Sequence, residues 1–129
     1  MSQPSHATLY LKRSCPHCLK LRIFLTEAGL ADRFTYVVFD DGDETHKALR
    51  ARMAAEGQEP SFPAADFGAD LAADLGDGRL TTGTDGLIAR LAQEAGVDPA
   101  AMPLLGYYTG GVFQRYGEMF RELKALKAG

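Results

Sequence analysis

The sequence predicts an α/β fold, and three observations carry that reading. A short apolar run, Leu9-Tyr10-Leu11, passes through Cys15-Pro16-His17-Cys18 directly into a helical pattern. A β-branched and aromatic run, Phe34 to Phe39, follows that helix, and a strand, a helix and a strand in this order imply a parallel right-handed crossover. Further on, Glu59-Pro60-Ser61-Phe62-Pro63 interrupts a second helical pattern ahead of a short strand and a third helix. At 129 residues and 46% hydrophobic, the chain is long enough for one domain with a real core and short for two.

Met1 to His6 is polar and reads as a loose end, so residues 1–7 are expected to be flexible. In the first helix, Leu21, Phe24, Leu25 and Ala28 are spaced for one buried face, with Gly29 as the stop. Asp40 to Glu44 is acidic but lacks the alternating ligands of a calcium loop, and Asp43 is placed to cap a helix running to about Glu56. Thr45, Leu49 and Met53 lie on one face of that helix and Gly57 ends it. Ala64 to Leu75 shows no clear period, while Gly78 to Thr82 reads as a tight turn into a short strand. Thr84 is the expected cap of a helix with Leu87, Ile88, Leu91 and Ala95 on its apolar face and Gly96 at its end.

Beyond residue 96, Pro99 and Pro103 bound a loop or single turn, and Tyr107 to Gly111 reads as a flexible aromatic stretch. Phe113 to Lys127 is one amphipathic helix with a stripe of Phe113, Tyr116, Phe120, Leu123 and Leu126, backed by Met119. Core packing is the simplest reading of that stripe. If it stays exposed, it marks a homodimer contact or a surface for a substrate protein.

A net charge of −3 with both signs interspersed gives no electrostatic footprint for nucleic acid or an anionic membrane. No apolar run approaches the roughly 18 residues of a membrane span, and MSQPSHATLY has no basic region followed by an apolar one. A soluble, cytoplasmic protein without nucleic-acid or membrane partners is therefore expected. In that setting two close cysteines fit a redox or metal motif better than a structural disulfide.

The cysteines sit where a strand ends and a helix begins. Pro16 suits the first helical turn, which puts Cys15 at the N-cap and Cys18 about one turn further in. Free amides and the positive end of the helix dipole then favour a thiolate on Cys15, the candidate nucleophile. Cys18 is the candidate resolving thiol, and His17 either adds positive charge near the Cys15 sulfur, the favoured reading, or is an exposed helix residue with no role. A zinc site would need four ligands, and the other candidates, His6, His17 and His46, are not spaced as a second pair, so no metal is expected. Gly76, Gly78, Gly83 and Gly86 lack the GK[ST] or GxGxxG context of a phosphate cradle.

The strand, CPHC motif, helix, strand, helix, Ser-Phe-Pro turn, short strand and Thr-Asp helix entry together resemble the glutaredoxin and glutathione-transferase N-terminal branch of the thioredoxin-like superfamily, over roughly Thr8 to Gly96. The resemblance implies a βαβ–ββα sandwich over residues 8–96, with residues 97–129 as a helical extension packed on the same domain. It implies that Pro63 is cis beside the active cysteine and that the Phe62 backbone pairs with the cysteinyl part of glutathione. It implies further that Thr84-Asp85 holds the γ-glutamyl end and that Lys12 helps hold a glutathione carboxylate. The activity implied is glutathione-dependent thiol-disulfide exchange on disulfide-bonded or glutathionylated proteins, with glutathione as co-substrate and no tightly bound cofactor. A second class is a non-catalytic transferase-like module that binds glutathione or a protein partner, and a third is a dimer whose CxxC pairs share a zinc or an iron–sulfur cluster.

Overall fold

The computed structural model describes residues 7–67 and 80–128. The polar start with His6, and the stretch carrying Gly68, Gly76, Gly78 and Arg79, lie outside the described residues. In chain order the elements are β1 (Ala7–Lys12), α1 (Pro16–Glu27), β2 (Phe34–Phe39), α2 (Glu44–Ala55), β3 (Ala64–Asp66), β4 (Thr81–Thr82), α3 (Thr84–Ala95), α4 (Pro103–Gly110) and α5 (Val112–Ala128). The strands form one mixed sheet in the order β2-β1-β3-β4, with β1 and β2 parallel and the β1–β3 and β3–β4 pairs antiparallel. This α/β arrangement is compatible with a thioredoxin-like fold.

Strand alternation divides the core in two. Ala7, Leu9 and Leu11 of β1, Phe34 of β2 and Ala65 of β3 face the layer of α1 and α3, where Leu21, Phe24, Leu25, Leu87, Ile88 and Leu91 are buried. Phe39 and Ala64 point the other way and pack with Leu49 and Met53 of α2 and with Leu80. Each fully buried Leu or Phe here is worth about 1.5–3 kcal/mol relative to exposure. The first layer includes Cys18, so the cysteine turn is anchored in the larger core.

Local signals explain most element ends. Asp43 caps α2 by accepting the His46 N–H at 2.9 Å, and Gly29 leaves α1 with φ +74. The cap of α3 differs from expectation: it is Gly83, at φ +95, whose carbonyl already accepts the Leu87 N–H at 3.0 Å. The first helical bond thus starts one residue earlier, and Thr84 lies inside the first turn with no capping bond.

Two expectations about the C-terminal extension are corrected. Tyr107 to Gly110 is helical rather than a flexible stretch, because Pro103 opens α4 and the Glu27 carboxylate accepts the N–H groups of Leu104 and Leu105 at 2.9 and 2.6 Å. The stripe of α5 is not core, since that helix has no buried residue and Tyr116, Met119, Phe120, Leu123 and Leu126 are exposed. Helix α5 packs on α4 and α1, with Phe113 at the contact, and does not lie on the sheet. No helix among the described residues is long and apolar enough to cross a membrane.

Candidate active site

The turn from β1 to α1 sets Cys15 at the N-cap with extended backbone, and Pro16 opens the helix without a donor to satisfy. The Cys18 N–H points back at the Cys15 Sγ at 3.4 Å. On the opposite chain segment, the Phe62 carbonyl oxygen lies 3.7 Å from the same sulfur and accepts its S–H in the thiol form. The Phe62–Pro63 peptide bond is cis, and Pro63 is buried. Sequence positions 15, 18, 62 and 63 therefore converge.

The two thiols have opposite characters. Cys15 is lowered to about 6, chiefly by the hydrogen bond from the Cys18 side chain, with smaller help from the Cys18 and His17 amides and the His17 charge, against the opposing effect of burial. Cys18 is pushed up strongly, because it donates to the Cys15 sulfur, is buried, and sits beside that negative charge. The dithiol thus loses its first proton from Cys15, and Cys18 keeps its own while Cys15 is a free thiolate.

The remaining predicted residues separate into two groups. His17 is exposed, with its ring edge-on to Phe113 at 5.0 Å between centroids, and Lys12 ends β1 beside Cys15 with its ammonium 3.1 Å from Asp41. Asp85 is exposed at the start of α3 and pairs with Lys20 of α1 at 2.8 Å, which holds its carboxyl below the usual range. Asp85, Thr84, Phe62 and Pro63 do not line the clefts described next.

Cys15 opens into two clefts that share Tyr116 as a wall. The first, about 370 Å³, runs along α1 past Leu19 and Arg22 to Val38, with Tyr108 and Val112 on the side of the extension. The second, about 500 Å³, includes His17, Phe113, Phe120 and Arg121. Tyr108 is buried, and its hydroxyl donates to the Pro16 carbonyl oxygen at 2.7 Å. The sequence reading placed Tyr108 in a flexible stretch and Tyr116 in a core stripe and named neither Leu19 nor Arg22 as a site residue, although their spacing of four and seven residues from Cys15 is that of one helix face.

Among the described residues no group of three or more His, Cys, Asp and Glu side chains converges as a metal site. His46 is occupied otherwise, accepting the Gly42 N–H at 2.7 Å and packing on Phe39 and Phe62. No protein-family model, curated protein or solved structure matches the chain.

Proposed function

We propose that the protein is a glutathione-dependent thiol-disulfide oxidoreductase of the glutaredoxin type, acting on glutathionylated or disulfide-bonded proteins. The observation that carries this reading is the pairing of an acidic, half-buried Cys15 at the α1 N-cap with a buried, proton-retaining Cys18.

In this reading the Cys15 thiolate attacks the glutathionyl sulfur of a mixed disulfide, forming a Cys15–glutathione disulfide while the protein thiolate leaves. Ionisation of Cys15 removes the S–H from the Phe62 carbonyl, which leaves that oxygen as an acceptor for the backbone N–H of the incoming cysteinyl group. Once Cys15 is in the mixed disulfide its negative charge is gone, and with it two of the causes that hold the Cys18 proton. Cys18 then ionises more easily, attacks the Cys15 sulfur and expels glutathione thiolate, closing the intramolecular disulfide. Two molecules of reduced glutathione restore the dithiol and leave as glutathione disulfide. Lys12 and Asp85 serve as glutathione contacts only by exchanging their present partners, Asp41 and Lys20, for the ligand.

The test is a pair of variants. Cys18→Ser should retain deglutathionylation of a small mixed disulfide, because glutathione itself attacks the Cys15 adduct, whereas Cys15→Ser should lose both that and dithiol reduction. Equal loss in the two variants counts against these roles.

A further inference from the structure

The first cleft beside Cys15 has a chemistry that the glutathione residues do not account for. Cys15, Leu19 and Arg22 follow one face of α1, and Leu19 is 48% exposed into the cleft although it is apolar. Val38, at the end of β2, and Val112 and Tyr116 of α5 add further apolar surface, 40%, 63% and 44% exposed. The guanidinium of Arg22 lies over the Tyr36 ring at 4.1 Å, and among the described residues no carboxylate pairs with it. The other cations of the cleft are paired: Lys12 with Asp41 at 3.1 Å and Arg13 with Asp40 at 2.8 Å. The cleft is therefore an apolar trough with the reactive sulfur at one end and an unneutralised cation at the other.

We propose that this trough receives the protein half of the disulfide substrate, a peptide segment whose cysteine is followed by apolar residues and then by a carboxylate about three residues away. The spacing follows from the helix: seven positions of α1 rise about 10 Å, which an extended peptide covers in about three residues. A volume of about 370 Å³ is in the range of clefts that take a few side chains. Glutathione is the poorer occupant, because of its assigned contacts only Lys12, already paired with Asp41, lines the trough, and Phe62, Pro63, Thr84 and Asp85 do not. The inference rests on Cys15 being the nucleophile, and its test separates the two claims.

The substrates are two glutathionylated peptides, Cys-Leu-Ala-Glu and Cys-Leu-Ala-Lys, both blocked at their termini. The wild-type protein should prefer the Glu peptide several-fold in kcat/KM, as for an ion pair with an exposed guanidinium. Arg22→Glu should reverse the order, and Arg22→Gln should abolish the preference. The same preference in all three proteins, or none in the wild type, overturns the trough assignment while leaving the redox reading intact. Binding of the S-methylated peptides, measured by calorimetry, gives a readout without turnover. A Glu preference that Arg22→Glu reverses there, with no turnover of either glutathionylated peptide, keeps the trough and overturns the redox reading. Equal binding of both peptides overturns the trough.

Discussion

The Tyr108 hydroxyl donates to the carbonyl oxygen of Pro16 at 2.7 Å, tying α4 to the turn between the two cysteines across 92 positions of chain. Tyr108→Phe should lower stability by about 1 kcal/mol, the usual net worth of one such bond, measured by urea unfolding. The phenol is raised above its ordinary value of 10.0 by burial and then by the nearby thiols. Its contribution is thus present below pH 10 and lost as pH rises through the raised value. The alkaline decline in stability should be shallower in Tyr108→Phe.

Glu27, at the end of α1, caps a helix far from it in sequence by accepting the Leu104 and Leu105 amides. Its negative charge also faces the positive end of α4. Glu27→Ala leaves both amides without this partner and should cost about 1–2 kcal/mol. Limited proteolysis should then cut the extension first, since α4 loses its cap while the sheet and its two cores keep theirs.

These two contacts mark where the sequence stopped being readable. The strand and helix elements around the cysteines were legible because each carries a local signal: Pro16 at the helix start, Asp43 as a cap, and the β-branched run of β2. The placement of the two cysteines was legible for the same reason, since the motif itself builds the helix start that holds them, but the hydrogen bond from the Cys18 side chain, the largest cause of the low Cys15 value, was not. Helix α4 was not, because its cap lies in Glu27 and its anchor is the Pro16 carbonyl, and local pattern records neither. The stripe of α5 misled in another way. Periodicity shows that a face is apolar but not what covers it, and here the face borders the clefts instead of the core. The ion pairs of Lys12 and Asp85 are likewise tertiary facts, made with Asp41 and with Lys20 of α1.

Asp85 offers a direct check on the glutathione assignment. Its carboxylate accepts from Lys20 at 2.8 Å, so a ligand ammonium must compete with that side chain. Asp85→Asn should raise KM for glutathione several-fold with kcat little changed, and Lys20→Gln should lower KM by freeing the carboxylate. If Asp85 only anchors Lys20, both variants move KM in the same direction, and steady-state kinetics with glutathione as the varied substrate tells the two apart.

The acidity of Cys15 is the most exposed point of the reading. Its thiol is lowered from an ordinary 9.0 to about 6, so the rate of alkylation by iodoacetamide should rise with pH about a midpoint near 6 in the reduced protein. Below that midpoint the sulfur is protonated, donates to the Phe62 carbonyl and is a poor nucleophile; above it the rate should level off. The largest single cause is the hydrogen bond from the Cys18 side chain, so Cys18→Ala should shift the midpoint upward. The Cys18 amide, which still points at the sulfur, and the His17 contributions continue to lower it, opposed by burial. Replacing His17 by Ala should raise it by less, since the ring charge is the smallest of the stated causes and the amide survives the substitution. A midpoint that does not move in Cys18→Ala would mean that the helix-terminal amides and His17 activate Cys15 without the Cys18 side chain. Cys18 would then be a resolving thiol without a part in generating the nucleophile.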